Sequence, residues 1–258
     1  MDPTAYRQFE ELERTHWWFR GRRAVFSALL RASLPPGPRR RVLDLGCGYG
    51  GMLECLAPHG DVVGVDLTPE SLVHLRDRGF AGAVAGSAYA LPFPDATFDL
   101  VALFDTLEHC DDDDAVAREC ARCLRPGGLA IVTGPAYPFL YAQNDRVAHH
   151  CRRYTRRTLR AVLEGAGLEV FRATYVNALL FPLILPAVLA LKLKERLLPG
   201  DPTSTNLSVG TPRPINAVLA GIFRAERWLV PRLSFPAGHS LALLARKGKK
   251  GSGSVSAK

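Results

Sequence analysis

The sequence predicts an α/β fold: a doubly wound, mostly parallel sheet of seven strands, with helices before, between and inserted after them. Three observations carry this. Short apolar runs alternate with stretches of helical periodicity. The first run, Val42–Leu45, ends in a cluster of glycines that opens a helix. The second, Val62–Leu67, carries Asp66 at its end, 20 residues after Gly46.

Each element follows in order. Tyr6, Phe9, Leu12, Trp17, Trp18, Phe19, Val25, Phe26, Leu29 and Leu30 recur at helical spacing, and Ser33–Pro38 breaks the pattern. Residues 1–38 are therefore expected to be an N-terminal helical cap. The core is expected over residues 39–177. After the first strand a helix runs to about Ala57, and Pro69–Arg78 is helical after the second. Ala83–Ala88 reads as a weak third strand and Phe98–Phe104 as a strong fourth. Asp111–Asp114 opens a helix that runs to Leu124, where acidic side chains complement the helix dipole better than they suggest a metal cluster. A turn at Arg125–Gly128 leads to a fifth strand, Leu129–Thr133. Thr155–Gly167 is helical and ends at a glycine. Glu169–Val176 and Ser240–Ala245 complete the sheet, the last strand lying within 239–247. The tail, 248–258, is low in complexity and expected to be disordered.

Composition sets the outer limits. The chain has 258 residues, 47% hydrophobic and 22% charged, enough to bury a core without staples. Its six cysteines follow no secretory signal, so free thiols and a cytoplasmic location are expected. Cys120 and Cys123 form a lone C-x-x-C on a helix, a poor zinc site. The net charge of +8 is uneven: 14 − 19 = −5 over residues 1–130, against 19 − 6 = +13 over 131–258. An anionic partner for the second half is expected, either nucleic acid or a membrane surface.

The glycine loop, Asp44-Leu45-Gly46-Cys47-Gly48-Tyr49-Gly50-Gly51, lets a ligand approach the backbone. Asp66 can accept both hydroxyls of a ribose. Gly46, Gly48 and Gly51 also satisfy G-x-G-x-x-G, which allows a nicotinamide cofactor. Asp44 argues against that alternative, because a carboxylate there suits a cationic group and repels a pyrophosphate.

These motifs, with V-G-V-D-L-T, L-P-F-P-D-A-T-F-D-L-V, D-T-L-E-H and L-R-P-G-G in order over residues 41–136, resemble the class I S-adenosylmethionine-dependent methyltransferases. The resemblance implies a Rossmann-like fold with S-adenosylmethionine as cofactor. It implies that Asp44 anchors the methionine amino group and that Gly46, Gly48 and Gly50 line the methionine and ribose. Asp66 would bind the ribose, Leu67 the adenine, and Ser87 and Ala88 the adenine edge. Ser87 stands where the family usually has Asp. Phe104 would begin the loop that flanks the cofactor.

For chemistry, an oxygen or nitrogen acceptor must lose a proton, and histidine is the natural base. His109, just past the fourth strand, and His150, after the fifth, are the candidates. Some family members bind a divalent metal at a sequence related to Asp105-Thr106-Leu107-Glu108-His109; the reading preferred here is that Glu108 and His109 hold the cofactor loop, with no metal. Arg153 and Tyr154 are plausible acceptor contacts at the mouth of the sheet. The resemblance also implies an N-terminal helix closing over the cofactor, so that in His16–Arg23 Trp17 or Trp18 would wall the pocket and Arg22 reach the methionine carboxylate. His16 and Trp17 would touch the acceptor, although for Trp18 and Phe19 a place in the core is the preferred reading.

Residues 178–238 are too long for a structureless loop. Ala178–Leu191 is an uncharged run of 14 residues, short of the about 20 a spanning helix needs. A second, basic amphipathic helix follows Pro214. This insertion is expected to be a lid or a membrane-associating element, placing a large apolar surface near the acceptor. The expected function is therefore methyl transfer to an oxygen of a hydrophobic or lipid-linked small molecule, from a cytoplasmic protein with a peripheral place on an anionic membrane. A soluble natural-product methyltransferase and a non-catalytic cofactor-binding scaffold are the alternatives. Nucleic acid is disfavoured, because the basic half lacks interleaved aromatics and an appended binding module. Oligomeric state is not legible.

Overall fold

The computed structural model describes residues 12–77, 79–197 and 211–248. Calls on residues 1–11 of the cap, on Arg78 and on the tail beyond 248 lie outside them. Seven strands form one sheet: β1 (Arg40–Leu45), β2 (Gly60–Asp66), β3 (Ala83–Ala85), β4 (Phe98–Phe104), β5 (Leu124–Pro135), β6 (Leu168–Val176) and β7 (Ser240–Lys247). The order is β3-β2-β1-β4-β5-β7-β6. The first five run parallel, and β7 inserts antiparallel between β5 and β6.

Alternation along the strands makes two cores. Val42, Leu100, Ala102 and Phe104 face one side, and Leu43, Leu45, Val101 and Leu103 the other. The first side is covered by α1 (Trp17–Ser33), through Val25, Phe26, Leu29 and Leu30, with the single turn α2 (Leu53–Leu56). The other is covered by α4 (Asp113–Cys123) and α6 (Arg156–Gly165). Between them in sequence lie α3 (Pro69–Asp77) and the short α5 (Gln143–Val147). The sequence gives no sign of α5, which lacks an apolar stripe.

Several boundaries shift for local reasons. β3 stops at Ala85, and Ser87 instead bridges Ala90 across a tight turn. β5 begins at Leu124, so the R-P-G-G turn lies inside a strand whose register shifts against β4. α4 starts only at Asp113, because Asp112 is its cap and accepts the Ala115 N–H at 2.8 Å. All six cysteines are free, and only Cys151 is exposed.

Among its described residues the insertion forms two helices, α7 (Phe181–Leu197) and α8 (Arg213–Leu229). They do not pack along each other. α8 lies on α1, where Phe223 fills the space that Gly21 leaves: a Cβ there would meet the ring at 2.1 Å. Buried Glu226 accepts the N–H groups of Asn177 and Leu179, fixing the exit from β6. Among the described residues no helix is long and apolar enough to cross a membrane.

Candidate active site

The loops that follow β1, β2, β4 and β5 meet the entry to β7 at one edge of the sheet, where open α/β sheets bind ligands. At its cofactor end, Gly46 and Cys47 donate their N–H groups to the Val65 carbonyl, pinning the glycine loop to β2. Gly46 has φ +77°, and a Cβ there would strike Thr106, whose hydroxyl holds the Leu45 carbonyl at 2.9 Å. Gly48 has φ +50° and open space where a side chain would be, leaving its backbone accessible. Asp66 already accepts N–H groups from Gly48 and Thr68 at 2.8 and 2.9 Å, which aims its carboxylate over the loop.

Asp44 is the electrostatic centre of this end. It is 1% exposed, and its Oδ2 has no hydrogen-bond partner. Burial pushes its carboxyl up to about 7; Arg22 opposes the shift, and Asp66 and Glu13 add to it. A buried, unpartnered carboxylate oxygen is what the ammonium of an amino-acid ligand would satisfy. Leu67 stands 75% exposed next to Asp66, an apolar surface free to cover a base. Gly86 N–H binds the Asp66 carbonyl, so Ser87 and Ala88 lie beside the end of β2. The Ser87 hydroxyl accepts the Tyr89 N–H at 3.2 Å. These residues fit S-adenosylmethionine: a carboxylate for its ammonium, an accessible backbone, an acid for the ribose and an apolar platform.

Other predicted residues fall elsewhere. Phe104 turns into the core and stacks on Phe26, 5.5 Å between centroids, so only its backbone leads to the loop. Arg22 is ion-paired with Asp105 at 2.9 Å, with its planar group 4.7 Å above the Trp18 ring. Its expected place at a methionine carboxylate is thus taken by Asp105 in this structure, although its buried Nε has no partner. Asp105 sits at φ +54°, held by Thr133, whose hydroxyl accepts its N–H and donates to its Oδ1. Trp18 half-covers this corner, edge-on to Phe19. Trp17 belongs to the α1–α8 contact: its N–H binds Asn216 Oδ1 and its ring packs on Phe223. His16 caps α1 by accepting the Trp18 N–H, and burial holds its pKa down. Both residues expected at the acceptor are thus engaged in contacts of α1.

Past β4 and β5, His109 and His150 do come together, 4.7 Å between ring centroids and edge to face. His150 Nδ1 lies 2.9 Å from Asp145 Oδ1. Asp145 is 1% exposed and also accepts from Arg153 at 2.8 Å and the Ala142 N–H at 2.8 Å. Burial pushes its carboxyl up, but the bonds from His150 and Arg153 outweigh this and hold it at about 2. The pKa of His109 is lowered, first by desolvation and then by His150. Arg153 and Tyr154, expected at the acceptor, are engaged inward. Arg153 ties Asp145 to the Ala136 carbonyl, and the buried Tyr154 hydroxyl donates to Asp113 at 2.7 Å. They hold the loop that presents His150.

Glu108 is fully buried, and neither carboxylate oxygen has a partner. Burial, with Asp105 adding to it, pushes its pKa well above the usual carboxylate range. Glu108, His109 and His150 each bring a ligand atom within 4.8 Å of the others. Asp145, Thr133 and His239 were missed by sequence reasoning. His239 sits at the entry to β7, where burial and Arg153 lower its pKa to about 4. Asp145 lies in Gln143–Val147, a stretch with no sequence signal of its role.

The fold and this glycine-loop geometry define a Rossmann-like methyltransferase. Residues 43–132 match the family model described as a methyltransferase domain. A probable S-adenosylmethionine-dependent methyltransferase of Mycolicibacterium smegmatis is 32% identical over 171 residues, 65% of each chain. A ubiquinone biosynthesis O-methyltransferase of Paracidovorax citrulli is 35% identical over 161 residues, 55% of this chain and 67% of that one. A solved S-adenosylmethionine-dependent methyltransferase of Archaeoglobus fulgidus superposes with a TM-score of 0.57 at 20% identity, covering 93% of this chain and 99% of that one. The chain belongs to the class I S-adenosylmethionine-dependent methyltransferases. It spans from about half to about two thirds of the length of the first curated relatives it matches.

Proposed function

We propose that this chain transfers the methyl group of S-adenosylmethionine to an oxygen of a hydrophobic or lipid-linked small molecule. The observation that carries the reading is the Asp145–His150–His109 array at the same sheet edge as the unpartnered Asp44 oxygen. The cofactor, when bound, supplies an electrophilic methyl on a sulfonium. Asp44 would take its ammonium and Asp66 its ribose. Asp145 accepts the Nδ1 proton of His150, which fixes the tautomer and leaves Nε2 able to receive a proton from an acceptor hydroxyl. An aromatic wall supports an apolar acceptor: Tyr137 stacks on both Tyr175 and Phe181, with Phe139 exposed beside it. O-methyltransferases stand among the relatives, beside quinone C-methyltransferases, and the histidine array favours oxygen, whose proton must be removed.

The test is mass-spectrometric detection of a methyl ether when the protein is given the cofactor and phenolic or prenylated acceptors. Turnover on prenylated phenols supports the reading. Turnover only on short soluble phenols favours the natural-product alternative, and binding of cofactor with no turnover on any acceptor favours the scaffold. A second reading rests on the orphaned Glu108 carboxylate: with His109 and His150 it would hold a divalent cation that lowers the acceptor's pKa. Activity abolished by a chelator and restored by manganese would select it over the histidine base.

A further inference from the structure

α7 is apolar on its outward face as well as its inward one. Ile184, Leu185, Val188, Lys192 and Glu195 share one helical face, and it is the half-buried one. The polar members of that face are used inward. Lys192 donates to the Phe139 carbonyl, and Glu195 accepts from the Gln143 N–H at 3.3 Å and pairs with Arg146 at 3.0 Å. The opposite face carries Leu183, Pro186, Ala190, Leu193 and Leu197, all exposed, with Leu189 beside them. Leu183, Leu193 and Leu197 are 66%, 58% and 68% exposed, and no residue of α7 is buried. A helix on a water-facing surface carries polar residues outward instead.

Exposed Lys194 and Arg196 flank this apolar strip in the last turns. Phe181 and the Arg146–Glu195 pair fasten the helix over residues 137–146, beside the loop that presents His150. An apolar face bordered by cations fits an interface of acyl chains beneath anionic headgroups. The strip lacks the length to cross one.

We infer that α7 lies flat in the headgroup region of an anionic membrane, its Leu183–Leu193–Leu197 face in the lipid and the acceptor end of the site beside the bilayer. This goes beyond the acceptor reading and does not depend on it. A membrane rather than a second copy of the chain is favoured by the cations at the strip's border, which would repel their own symmetry mates.

The experiment is co-sedimentation of the full chain with vesicles of phosphatidylcholine alone, and of equal parts phosphatidylcholine and phosphatidylglycerol, without cofactor. Binding to the anionic vesicles is expected, weakened by salt as headgroup attraction is screened. L183D/L193D should weaken it about a hundredfold or more, and K194A/R196A about tenfold. Both variants should keep wild-type affinity for S-adenosylmethionine by calorimetry, which shows that they fold. Absence of binding to anionic vesicles, or equal binding by wild type and both variants, would overturn the inference. So would a wild-type dimer in light scattering that L183D/L193D dissociates while vesicles capture neither. Vesicle binding with no methylation of any acceptor would sink the acceptor reading alone.

Discussion

The two ends of the site are built by opposite means. The cofactor end comes from consecutive residues: one strand, one glycine loop, and an aspartate on the neighbouring strand. The acceptor end is assembled from distant ones: His109 after β4, Asp145 and His150 after β5, and His239 before β7. At the cofactor end a carboxylate is left without a partner, so a ligand can complete it. At the acceptor end Asp145 has three partners, so its histidine is held in place before any ligand arrives. The first end stores an electrostatic demand; the second stores orientation.

Substitutions should separate these roles. The largest effect is expected from His150→Asn, which removes the proposed base and should lower kcat by about 10²–10⁴-fold with cofactor affinity unchanged. An equal loss in cofactor affinity would mean the two ends are not separate. Asp44→Asn should weaken cofactor binding about a hundredfold in calorimetry, because the ammonium loses a charged partner. The same variant should raise the melting temperature of the ligand-free protein. Asp44 has a raised folded pKa, so it stabilises the fold at low pH, and that contribution is lost as pH rises through about 7. A fall in melting temperature would show that Asp44 is held by something other than its missing ligand.

Asp145→Asn should have the opposite sign. Its folded pKa is depressed to about 2, so its contribution is present above the unfolded value and lost as pH falls through about 2. At neutral pH the variant should unfold about 2 kcal/mol more easily, seen in urea. It should also lose kcat through His150, with little change in KM. The smallest effect is on wild type: cofactor affinity should fall up to about tenfold per pH unit below about pH 7, as Asp44 protonates. A flat profile would place the ammonium elsewhere.

The same contrast explains what the sequence revealed. The strands through β5, the glycine loop and Asp66 were legible because adjacent residues do the work there, under strong backbone constraints. The pairing of His109 with His150 was anticipated only as two separate candidates. Asp145 was invisible because a buried acid in a short polar helix looks like a solvated one until the fold surrounds it. Arg153 and Tyr154 misled for the same reason: residue type and position at the mouth suit a ligand, but buried Asp145 and Asp113 claim them first. α1 was expected as a cap, yet Val25, Phe26, Leu29 and Leu30 make it a full layer on the sheet.

The antiparallel direction of β7 has a consequence for engineering. Because it runs back, Ser240 pairs with Val176, and the chain leaves and re-enters the sheet at neighbouring points. The doorway is already stitched shut: Phe235 N–H donates to Thr174, and His239 N–H to the Asn177 carbonyl. Residues added between Leu197 and Arg213, away from the buried Phe223 and Glu226, would cost free energy that grows only logarithmically with their number. An exchanged segment must therefore keep the α8 face that meets Gly21 and Asn177, while the rest can vary without cutting a single strand.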